Sequence, residues 1–253
     1  MNRHFLTRLI PSKWKIKTFR VYNFVKRNKS KESYFTEHHN LKKKRTDIFF
    51  GYYDINPFND DKIIAMGVGK KEVADVYVIS NGIFNKIGDT RAWCWQQGSR
   101  LRWFDETHVI YNDFNGKEYI STLVNIYTKE KEETPFPLYD VNYMRTEGIT
   151  CNFGRLGYLR PGYGYTNLPF EQQVSPFDNA VDIIDLNKWH IIDTIHYSDI
   201  VSAIQEKLDL KGCYVNHLSY NPKGNGFIFF FVDSNQGHKV YLMYYDSKKK
   251  KVK

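Results

Sequence analysis

The order of strands and turns repeats along this chain, and that repetition limits the possible folds more than composition does. Phe49–Val68 reads as a short apolar strand, an Asn/Pro/Asp turn and a second strand, followed by strands at Ala74–Ser80 and Phe84–Thr90. Gly98–Phe104, His108–Phe114, Glu118–Ile126 and Glu132–Tyr139 restate the order, with Asn115-Gly116 as a strong hairpin signal. A third unit opens at Asp140 with Val141–Arg145 and Gly148–Phe153. It closes with Ala180–Leu186 and His190–Tyr197 after a Gly/Tyr/Pro-rich excursion of functional-loop length. A fourth runs through Cys213–Pro222, Gly226–Asp233 and Lys239–Asp246. Four short strands in every forty to fifty residues, roughly, is the mark of a β-propeller. A β-sandwich of the same hairpins is the competing architecture, and the repeated internal order favours radial repetition.

The expected fold is therefore all-β, with blades over residues 46–90, 98–139, 140–197 (carrying the insertion) and 213–246. One short inserted helix is predicted, with Ser198 or Asp199 as N-cap, Ile200, Val201, Ile204 and Leu208 on one face, and Gly212 as its stop. The fourth unit loses its pattern after its third strand, where lysines begin, so its outer strand is expected to be missing and the ring incomplete. On that reading the chain is the first part of a larger propeller, or a truncated, inactive product. Closure by the arm before Phe49 is the alternative. An open ring exposes apolar surface and recruits a partner.

Charge divides the chain into unlike parts. Residues 1–45 hold 14 Lys/Arg against Glu32 and Glu37, a net of +12, and the terminal run 248–253 adds five lysines. The remaining 18 Lys/Arg and 26 Asp/Glu leave residues 46–247 at −8. A body that grips a phosphate backbone carries its basic stripe on the folded surface, so no nucleic-acid partner is expected. The N-terminal arm mixes Phe5, Leu9, Trp14, Phe19 and Phe24 with basic residues. It reads either as an amphipathic strip for an anionic membrane surface or as a packing arm with solvated lysines. No apolar run reaches the length of a signal-peptide core or a membrane span. Cys94, Cys151 and Cys213 form no CxxC pair and read as small buried hydrophobes in a reducing, cytoplasmic setting, with membrane-peripheral placement as the variant.

Two clusters carry candidate chemistry. Asp89–Trp103 places Trp93 and Trp95 beside Gln97 and Arg100 at a connection between blades. Indole faces stack on sugar rings while amides and guanidinium groups bind hydroxyls and carboxylates, which suits a glycan. The excursion Cys151–Gln173 offers Arg155, Arg160, Tyr163 and Tyr165, with Gly162 and Gly164 permitting the bends that aim the tyrosines. It has no phosphate-binding fingerprint. For each cluster the bland reading is packing between blades or a plugged channel. Asp54 and Asp113 are turn-adjacent acids that serve as base, ligand or ordinary turn residue. His217 stands on the innermost strand of the fourth unit with no second ligand at metal spacing beside it.

The segments Asn216–Phe230 and Gly51–Ile64 resemble blade motifs of bacterial propellers similar to oligogalacturonate lyases, a TolB-like, Trp-Asp-repeat-like group. That resemblance implies a divalent metal, usually manganese, with His217 at the position of one ligand, and β-elimination on acidic oligosaccharide or polysaccharide if the chain is an enzyme. The family's remaining ligands lie in later blades that have no counterpart in this sequence. The expected role is glycan binding or processing, lyase-like but short of most of the metal site. A non-catalytic scaffold, held at a membrane by residues 1–45, is the rival.

Overall fold

The computed structural model describes residues 48–68, 72–169, 179–235 and 237–253; the basic arm, residues 1–45, lies outside them. Four antiparallel sheets follow one another in chain order. Blade 1 comprises β1 (Ile48–Phe49), β3 (Lys62–Val68), β4 (Ala74–Ser80) and β5 (Ile83–Thr90), with β2 (Phe58–Asn59) paired to β3. Blade 2 comprises β6 (Arg102–Trp103), β7 (His108–Phe114), β8 (Tyr119–Asn125) and β9 (Lys131–Thr134). Blade 3 holds β10 (Asp140–Val141), β11 (Glu147–Thr150), β12 (Asn179–Asp185) and β13 (His190–His196). Blade 4 holds β14 (Cys213–Tyr220), β15 (Gly226–Asp233), β16 (Lys239–Asp246) and β17 (Lys251–Val252). This is the four-stranded blade repeat of a propeller, as the sequence pattern predicts.

Period-2 side-chain alternation gives each blade two apolar faces, one for each neighbour. In blade 1, Ile64 pairs with Val78 and Met66 with Val76, and this face joins Leu101, Val109, Tyr111 and Val124 of blade 2. The opposite face of blade 2, at Ile110, packs on Leu138, Ile184 and Leu186 of blade 3. The other face of blade 3, at Ile149 and Ile183, meets Phe227, Phe229 and Phe231 of blade 4. Among the described residues no such cluster joins blade 4 to blade 1. The outward face of blade 4 leaves Ile228, Val240 and Leu242 exposed.

Two details differ from the expectation. The lysine run is not a tail: its backbone turns back and β17 pairs with β16, Tyr245 opposite Val252 and Asp246 opposite Lys251. The lysines stay in solvent while Val252 is buried, and the Asp246 carboxylate accepts the N–H groups of Lys248 and Lys249, fixing the turn. Blade 4 thus has an outer strand. Among the described residues there are also two α-helices rather than one. The predicted helix, here α2, spans Tyr197–Ile204, begins at the cap His196 and stops at Gln205 in the left-handed conformation, well before Gly212. The other, α1, spans Phe153–Leu159 within the glycine-rich excursion. Its formation rests on tertiary packing: Asn152 caps it, Phe153 and Leu156 enter the blade 3–4 core, and Gly157 lies directly on the Tyr165 backbone. No helix of the described residues is long and apolar enough to cross a membrane.

Candidate functional site

In the connection from β5 to β6, residues 91–101, the side chains of Gln97, Ser99 and Arg100 are buried, whereas Arg91 and Gln96 are exposed. Arg100 has φ +56°, uncommon for a residue with a Cβ, and this points its guanidinium into the protein. The guanidinium is gripped by Asp54 through two bonds of 3.2 and 2.7 Å, donates to the Tyr139 carbonyl at 2.9 Å, and lies 4.2 Å over the Tyr139 ring. Gln97 donates to the Tyr139 hydroxyl at 2.7 Å and to Asn216 Oδ1 at 3.0 Å. The Tyr139 hydroxyl also donates to Asn216 at 2.8 Å and accepts the His217 N–H at 2.9 Å. One phenol thus ties the inner strands of blades 3 and 4 to the 91–101 connection. The Gln97 Oε1 is buried with no partner among the described residues.

Tyr165 is also internal: its ring stacks on Phe153 at 4.7 Å and its hydroxyl accepts from Asn112 at 2.9 Å. Gly164 makes this possible, since a Cβ there would sit 2.3 Å from the Phe153 carbonyl and its φ is +131°. Of the seven residues expected to contact sugar, Gln97, Arg100 and Tyr165 are therefore buried. Trp93 is half-buried, donating to the Glu72 carbonyl, and forms an aromatic group with Phe49 and Trp95. Trp95 is 45% exposed.

Arg160 and Tyr163 stay at the surface. The Arg160 guanidinium lies 5.4 Å from the Tyr163 ring, and together they wall a cleft of about 250 Å³. Its floor is the inner end of blade 4, with Tyr214, Asn216, His217 and Phe230. The Gln96 N–H donates to the Gly162 carbonyl at 3.3 Å, so the two sequence clusters meet, Trp95 next to the loop that carries Tyr163. Tyr52, Tyr214, Asn216 and Phe230 were not anticipated. Only the paired tyrosines before Asp54 and the alternation in Cys213–Tyr220 pointed toward them.

His217 occupies a bulge in β14 with φ +53°, between the rings of Tyr52, Tyr163 and Phe230 at 5.5, 6.0 and 5.1 Å. Burial lowers its pKa below 6.5; the Asp54 charge opposes this, and Arg100 and Arg160 add to it. The imidazole is thus neutral at pH 7. The unfolded chain takes up a proton near pH 6.5 that the folded imidazole refuses, so this contribution to stability is complete above pH 6.5 and lost as pH falls below it. In urea unfolding, the loss of stability between pH 7.5 and 5 is expected to be smaller in His217→Gln than in the wild type; an equal loss contradicts this.

The metal expectation fares differently. Among the described residues no group of three His, Cys, Asp or Glu could hold an ion. His217 is ringed by aromatic faces, and Asp54, the carboxylate whose charge acts on it, is held by Arg100. These residues do not fit a manganese centre. The three cysteines are buried, and burial pushes the Cys94 thiol up to about 11 and those of Cys151 and Cys213 up to about 12, so none is a thiolate nucleophile at neutral pH.

No family model matches the chain, and no curated protein matches its sequence. Its similarities are to solved propellers. TolB from Acinetobacter baumannii superposes with a TM-score of 0.46 at 13% identity, over 82% of this chain and 43% of that one. An oligogalacturonate lyase in complex with manganese gives 0.44 at 12%, over 77% and 47%. The β-propeller domain of the Trilobed protease from Pyrococcus furiosus gives 0.41 at 12%, over 76% and 53%. The chain spans about half the length of these proteins or less. Its fold assignment rests on its own four sheets.

Proposed function

We propose that this propeller binds an acidic oligosaccharide in the cleft between Arg160 and the inner end of blade 4. The observation that carries the reading is the exposed Arg160 guanidinium held beside the Tyr163 ring over Tyr214, Asn216 and His217. A guanidinium matches a sugar carboxylate in bidentate geometry, tyrosine faces stack on the apolar side of a pyranose, and the amide of Asn216 serves hydroxyls. Trp95, on the adjoining segment, extends the surface along a chain longer than one residue.

Calorimetric titration with a uronic-acid trisaccharide and a neutral trisaccharide tests this. The acidic ligand alone is expected to bind, and Arg160→Ala to weaken it about ten- to a hundredfold, the range of one charge-assisted contact. A folded protein indifferent to both sugars, or Arg160→Ala with unchanged affinity, overturns the reading.

A further inference from the structure

The turns of blades 3 and 4 carry a second surface, away from this cleft. Because strands alternate in direction, the turns β10–β11 (142–146), β12–β13 (186–189), β14–β15 (221–225) and β16–β17 (247–250) emerge at the same end of the two blades. They are contiguous. The Leu186 N–H donates to the Thr146 carbonyl at 2.9 Å, Gly224 lies against the Asn142 side chain, and the Ser247 N–H donates to the Asn225 carbonyl at 3.2 Å.

These four turns contain Arg145, Lys188, Lys223, Lys248, Lys249 and Lys250 and no acidic residue. All six are exposed. The acids at the bases of two turns, Asp185 and Asp246, accept backbone N–H groups of the turns themselves, and Asp193 reaches Lys250 at 3.7 Å. On a body whose net charge is −3 over residues 46–253, with 23 Lys/Arg against 26 Asp/Glu, this is a local concentration of positive charge. At its edge stand Tyr143, 82% exposed, and Met144, 68% exposed, adjacent on one turn tip and followed by Arg145. Large apolar side chains at a tip, with cations beside them, suit insertion at the level of lipid headgroups: the apolar pair enters the acyl boundary while the cations meet anionic headgroups. A nucleic acid would need cations along a groove or stripe with successive stacking platforms, and of the exposed tip pair only Tyr143 is aromatic.

We propose that this end of blades 3 and 4 docks on an anionic lipid surface, Tyr143 and Met144 inserting and the six cations holding the headgroups. It is a different surface from the basic arm that the sequence singles out, and the test separates the two. The full chain is co-sedimented at 0.1 M salt with vesicles of phosphatidylcholine, alone and with phosphatidylserine. Binding is expected only to the anionic vesicles. It should fall at least tenfold in Arg145→Glu/Lys248→Glu/Lys249→Glu and clearly in Tyr143→Ser/Met144→Ser, with thermal unfolding unchanged because every altered side chain is exposed. A polarity-sensitive fluorophore on Met144→Cys, selective because the native cysteines are buried, should shift to the blue on anionic vesicles. Vesicle binding that survives charge reversal with no shift at 144 assigns attachment to the arm and overturns the proposal. Absence of vesicle binding, or duplex DNA binding lost in the same variant without vesicle binding, overturns it as well.

Discussion

Arg100→Met is expected to lower the unfolding free energy by about 3–5 kcal/mol, the cost of removing one partner from a buried ion pair. The Arg100 side chain is 1% exposed and that of Asp54 21%, so water reaches the carboxylate slightly and the loss should sit toward the lower bound. Truncation strands the Asp54 carboxylate and removes the cation from the Tyr139 ring, although Arg102 still donates to the Tyr139 carbonyl at 2.6 Å. Urea unfolding followed by far-ultraviolet circular dichroism measures the difference. The double change Arg100→Met/Asp54→Leu should recover part of it, because no unpaired charge remains. A loss below about 1 kcal/mol in the single variant would show that the pair is solvated.

The second large effect concerns alternation in β15. Phe229→Ala empties a fully buried position between blades 3 and 4 and is expected to cost about 3–5 kcal/mol, whereas Ile228→Ala, one residue away on the outward face, should cost less than about 1 kcal/mol. Equal effects at the two positions would mean that the outward face of blade 4 is covered as completely as the inward one.

The blade architecture was legible in the sequence because its determinants are local. Each hairpin has its own turn chemistry, and each strand its own period-2 pattern, as in Val76 and Val78 against Tyr77 and Ile79. What escaped depends on partners distant in the chain. Arg100 has the chemistry of a sugar ligand, and only Asp54, 46 residues away, makes it an internal ion pair. Helix α1 was hidden because two of its seven residues, Gly154 and Gly157, are poor helix formers, and the value of Gly157 lies in close backbone approach to Tyr165. Strand β17 was hidden by lysines, although a single buried valine is enough to anchor it. Of the sugar-binding candidates, the ones at the cleft are Arg160 and Tyr163, on the loop that follows α1.

The Tyr139 hydroxyl has a consequence for the time course of folding. Apart from β11 and β12, which are separated by residues 151–178, paired strands lie close in the chain, so most hairpins close over short loops and form early. The node at Tyr139 is different: it joins Gln97 to Asn216 across 119 residues, and Tyr139 to Asn216 across 77. It is complete only when blade 4 has docked. Refolding of Tyr139→Phe should therefore proceed at nearly the wild-type rate while its unfolding accelerates, the kinetic mark of a contact that locks the assembled blades after the rate-limiting step.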